Sequence, residues 1–103
     1  MNWEIRFLGF PAHVAVKFNA ETSGVIGDRV REIIRTHFGL TEVPSDSKTF
    51  GHFATDWIDR LEINMEVEKA FNIIIDCASI YRVMSPRRTV GSFVEFVEGS
   101  IAA

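Results

Sequence analysis

The chain has 103 residues, a length that suits one domain with one core. Its net charge of −3 gives no basic excess of the kind a nucleic-acid binder carries, and its single cysteine, Cys77, excludes an internal disulfide framework and fits a reducing cytoplasm. With 47% hydrophobic and 24% charged residues it reads as a soluble globular protein with a modest core.

Residues 1–21 read as an extension with its own pattern. Trp3, Ile5 and Phe7 alternate with Glu4 and Arg6, and Val14, Val16 and Phe18 alternate again. Period two predicts two short strands, with Gly9-Phe10-Pro11 as the bend between them. A helix is the competing reading of this stretch. Either element must pack on something, since an isolated hairpin is marginal. Glu4, Arg6, Pro11, His13 and Lys17 interrupt the apolar runs, so no secretory leader and no membrane span is expected.

The helical domain is expected over 22–103. Thr22-Ser23 offers caps for a helix to residue 38, with Val25, Ile26, Val30, Ile33, Ile34 and Phe38 at helical spacing and Gly39 as its C′ residue. A long loop, 39–54, follows. Thr55 or Asp56 caps a second helix to residue 71, with Asp56, Asp59 and Glu62 near the positive end of its dipole and Asn72 after it. A short helix is predicted over 78–83. Thr89 caps a last one over 90–98, ended by Gly99.

On the second helix, Ile63, Val67 and Phe71 form one apolar stripe and Trp57, Leu61 and Met65 another, roughly 120° apart at 100° per residue. Both cannot face the same core. The second stripe is a partner surface, a surface covered by the extension, or simple core.

In order and spacing these residues resemble the acyl carrier protein family. Asp28-Arg29-Val30-Arg31-Glu32-Ile33-Ile34 is similar to its first helix, and Phe38-Gly39-Leu40 to the Leu-Gly-Val ending. Glu42-Val43 is similar to the start of its first loop, and Thr89-Val90-Gly91 to its Thr-Val-Gly opening of the last helix. The likeness covers roughly 24–99. Asp56 falls on the motif aspartate, Ile58 on its leucine and Asp59 on the acidic residue that follows; Glu62, Met65, Glu68 and Phe71 fall on like residues. Three departures stand out. Trp57 occupies the position of the attachment serine, Ala54-Thr55 replaces Gly-Ala, and the segment 76–88 is longer and ends in Arg87-Arg88.

The resemblance implies an all-α bundle of three main helices and one short one. It places the Ile63 stripe in the core and the Trp57 stripe on the face that carriers offer to their enzymes. Tryptophan has only an indole N–H donor, so phosphopantetheine is not expected on this chain. The implied function is a non-catalytic interaction module related to fatty-acid or polyketide synthesis, cytoplasmic, docking a protein through Trp57, Asp59, Leu61, Glu62, Met65 and Glu66. A homodimer through the extension is a further option. The alternative is a carrier modified at an unusual residue such as Thr55, Ser45, Ser47 or Ser79.

Other candidates have plainer readings. His52, Asp56 and Asp59 are spaced for one helix but lack a thiolate or second histidine, and a solvated acidic helix start is preferred. Arg60 and Lys69 are expected to dilute the acidic face. Arg82, Arg87 and Arg88 read as a polar loop, although such a cluster can meet a phosphate. Cys77 reads as a buried small hydrophobe, and an enzyme built on it or on the His52–Asp56 region has no supporting motif. His13 and His37 have no partner at motif spacing.

Each large apolar side chain of the extension would stabilise by roughly 1.5–3 kcal/mol if buried. Deleting residues 1–20 is therefore expected to lower the melting temperature and raise self-association or dye binding. A truncated protein that is monomeric and equally stable would show that the extension does not cover the Trp57 stripe.

Overall fold

In the computed structural model, residues 20–54 and 56–102 are described, with side chains from Gly24 onward. The expected hairpin and its cover of the Trp57 stripe lie outside them, as does the alternative cap Thr55. Four helices follow in order: α1 (Ala20–Phe38), α2 (Trp57–Phe71), α3 (Cys77–Val83) and α4 (Val90–Ala102), with a 3-10 turn at Phe50–His52. Among the described residues no strand occurs, only an isolated antiparallel bridge between Thr49 and Thr89. The core is all-α, as expected. No described helix is long and apolar enough to cross a membrane.

α1 buries Ile26, Val30, Ile33 and Ile34, one stripe at helical spacing. It packs against both α2 and α4, while α3 packs on α4. Gly39 takes φ +64°, and the Leu40 N–H reaches back to the Arg35 carbonyl at 2.9 Å. α2 ends the same way. Asn72 is left-handed at φ 55°, and the Ile73 N–H donates to the Glu68 carbonyl at 3.1 Å. At both ends the left-handed residue turns the chain so that a carbonyl of the last turn finds a donor, with the full Schellman pair of bonds at α1. At α3, Asp76 accepts the Ser79 N–H and hydroxyl, each at 2.9 Å. These bonds favour the ionised carboxylate and hold Asp76 below the usual range.

α4 departs from expectation at its end. Thr89 caps it through the Ser92 N–H at 3.1 Å, but the helix runs through Gly99 to Ala102. Gly99 does not adopt positive φ. Continuing the helix packs the half-buried Ile101 against the core, a tertiary gain that overrides glycine's tendency to end a helix.

The loop after α1 is ordered by α4. Four loop groups pair with the segment 86–91: Phe50 N–H to Arg88 O at 3.0 Å, Gly51 N–H to Pro86 O at 2.9 Å, Val90 N–H to Lys48 O at 2.8 Å, and Gly91 N–H to Asp46 O at 2.9 Å. The last two satisfy donors that a helix start leaves free. The Asp46 carboxylate also takes two bonds from the Arg31 guanidinium, 2.8 and 3.3 Å, which tie the loop to α1. Phe50 is thereby driven to the centre of the bundle, fully buried and edge-on to Phe93 with centroids 5.7 Å apart.

Two glycines of α4 separate packing from propensity. A Cβ on Gly91 would stand 2.9 Å from the Asp46 Cβ and 3.1 Å from its carbonyl oxygen, and Arg31 holds that residue in place. A Cβ on Gly99 meets nothing within 4 Å. Overpacking costs about 1–3 kcal/mol and exceeds the gain in helix propensity of at most about 1 kcal/mol. Gly91→Ala is expected to destabilise by about 1–2 kcal/mol in urea unfolding, and Gly99→Ala to stabilise by about 0.5–1 kcal/mol.

Candidate functional site

The start of α2 is set by Asp56. Its backbone is extended (φ −90°, ψ 134°), and its carboxylate accepts the Ile58 N–H at 3.3 Å. This fixes Trp57 as the first helical residue. The indole stacks on Tyr81 of α3, with centroids 4.5 Å apart and planes 6° from parallel. The Arg60 guanidinium lies over the same indole, 5.5 Å from its centroid.

Arg60 corrects an expectation. It does not dilute a surface charge; it is buried, and its Nη1 donates to the Ala54 carbonyl at 2.6 Å. That bond fastens the end of the loop to the first turn of α2. Asn64, one turn on, is 1% exposed, and neither its amide oxygen nor its nitrogen has a hydrogen-bond partner among the described residues.

The two stripes of α2 differ in burial. Ile63, Val67 and Phe71 are buried. Trp57 and Leu61 are half-buried against the core, and Met65 is 56% exposed. Ile58 and Tyr81 stand out at 59% and 65% exposure, so an apolar surface continues from α2 onto α3.

The carboxylates expected on the partner face are gathered on His37, for which the sequence showed no partner at motif spacing. His37, at the end of α1, is largely enclosed, and its Nδ1 lies 2.8 Å from Glu66 Oε2. Its Nε2 lies 3.4 Å from Glu62 Oε1 and 3.9 Å from Asp59 Oδ1. Positions 59, 62 and 66 are spaced i, i+3 and i+7, one face of α2. That spacing is visible in the sequence; that His37 faces it is a product of the α1–α2 packing.

The remaining candidates stay apart. His52 is exposed at the end of the 3-10 turn and does not join Asp56 and Asp59 in a ligand-sized group. Cys77 is exposed at the start of α3, not buried as expected, because Ile80 and Val83 are the residues that α3 turns inward. Arg82, Arg87 and Arg88 are exposed.

No protein-family profile, curated protein or solved structure matches the chain.

A buried amide without partners loses its hydration and gains nothing in return, a cost of about 1–3 kcal/mol. Asn64→Leu keeps the size and removes the polar atoms. It is expected to raise the melting temperature, by about 4–8 °C for each kcal/mol gained in a domain of this size. A lower melting temperature would show that the amide is satisfied in solution.

Proposed function

We propose that this protein is an acyl-carrier-like interaction module that lost its attachment residue and docks a protein partner through α2. The observation that carries this reading is Trp57. Its ring occupies the first position of α2, directly after the Asp56 cap, and is held against Tyr81 and Arg60. The helix order supports it, with a long loop after α1 and a short α3 before α4. The residues that would meet the partner are Trp57, Asp59, Leu61, Glu62, Met65 and Glu66, with Ile58 and Tyr81 as apolar neighbours. An apolar patch rimmed by carboxylates suits a partner surface that is apolar at its centre and basic at its edge. The related pathway class is fatty-acid or polyketide synthesis.

The slot itself provides the test. Wild-type protein incubated with coenzyme A and a broad-specificity phosphopantetheinyl transferase is expected to keep its unmodified mass. Trp57→Ser is expected to gain the phosphopantetheine adduct, because Asp56, Ile58 and Asp59 already surround the position. The substitution removes an aromatic stack and a cation–π contact, so it should also cost about 1–3 kcal/mol. A folded Trp57→Ser protein that refuses the group, or an adduct on the wild type, would overturn the reading. Docking has its own readout. A photocrosslinker at Met65 should capture one protein in cells, with capture lost on Ile58→Glu and absent from position 95 on α4.

A further inference from the structure

We infer that His37, Asp59 and Glu62 bind a single divalent transition-metal ion of the zinc class, with Glu66 orienting the histidine. The inference uses only side-chain geometry and holds whether or not the protein is carrier-like.

Glu66 decides which nitrogen of His37 is available. At 2.8 Å from Nδ1 the carboxylate accepts a hydrogen bond, which places a proton on Nδ1. Nε2 then carries the lone pair and points at two more oxygens, Glu62 at 3.4 Å and Asp59 at 3.9 Å. Three electron-rich atoms facing one another repel unless a cation lies between them. Both separations exceed the 2.7–3.2 Å of an N–H···O bond. A metal ion fits better. Bonds of about 2.0–2.2 Å in tetrahedral geometry place neighbouring ligand atoms about 3.4 Å apart. The three ligand atoms here all lie within 4.8 Å of one another, so small side-chain adjustments close the site.

The chemistry of the set points to the ion. The set also lacks the thiolate or second histidine common in zinc sites, but unlike the spacing of His52, Asp56 and Asp59 it converges in space. Its imidazole favours zinc or its neighbours over calcium and magnesium, which favour oxygen ligands alone. A carboxylate on the far nitrogen of a ligating histidine is the usual outer-shell partner; it fixes the ring and raises its basicity. The Glu62 and Asp59 side chains are 53% and 42% exposed, so the site is open to solvent and a fourth ligand can be water. The ion would clamp the end of α1 to α2. It would also neutralise carboxylates on the face assigned to the partner.

The test uses the full chain stripped of metal with a chelator. Near neutral pH in a non-coordinating buffer, Zn²⁺ titrated by calorimetry is expected to bind one equivalent and to raise the melting temperature. Co²⁺ is expected to give visible absorption bands that Zn²⁺ displaces. His37→Gln should abolish both signals. Glu62→Gln alters a mostly exposed side chain, so its fold is expected to persist by circular dichroism while affinity falls at least tenfold. Glu66→Gln should weaken binding by roughly 10–100-fold through the histidine alone. Cys77→Ser and His52→Gln should bind as the wild type does. The inference is overturned if Zn²⁺ does not bind, if folded Glu62→Gln binds undiminished, if either control loses the ion, or if Ca²⁺ saturates the protein where Zn²⁺ does not.

Discussion

The structure depends on the way the loop between α1 and α2 satisfies the start of α4. A helix leaves its first N–H groups without partners, and backbone groups buried unpaired are costly. Here Lys48 and Asp46 supply the carbonyls for Val90 and Gly91, and Thr89 supplies a hydroxyl for Ser92. Arg31 holds Asp46 from the side of α1. One short stretch of irregular chain thus fixes α1 and α4 relative to each other, and the same pairing carries Phe50 into the middle of the core.

From Phe50 a chain of ring contacts leads outward. Phe50 touches Phe93 and Phe53, Phe53 touches Phe38, and Phe38 touches His37, with centroids 4.8–5.9 Å apart. Edge-on and tilted contacts of this kind hold each ring in a defined orientation. The imidazole that faces the carboxylates of α2 is thus in contact with the outermost ring of this series. On the opposite flank, Arg60 braces Trp57 while anchoring the Ala54 carbonyl. Both ends of the α2 surface are positioned from beneath.

Much of this was legible in the sequence because it is local. The apolar periods of the helices, the Asp56 and Thr89 caps, and the helix ends at Gly39 and Asn72 all follow from chemistry within a few residues. The Trp57 and Ile63 stripes could be told apart by counting. What could not be read depends on other elements. Gly99 looks like a stop until Ile101 finds the core. The 3-10 turn at Phe50–His52 exists because residues 86–91 lie beside it. Arg60 and Asn64 look like surface residues until their face of α2 is covered. Asp59, Glu62 and Glu66 read only as part of a partner face because the residue that gathers them is 22 positions before the first of them.

The bridge between Thr49 and Thr89 has a kinetic consequence. The two residues are 40 positions apart, and the bonds around it cannot form until the intervening chain closes. Closing such a loop costs entropy that grows as about 3/2 RT ln n, before any of the burial it permits is gained. Helical bundles built from neighbouring hairpins avoid that delay and fold fast because their contacts are near in sequence. In this protein α4 has its first-turn partners only after α2 and α3 have been traversed. Its last helix and its most central aromatic contact therefore rest on a pairing that is distant in sequence, although most of the described residues are helical.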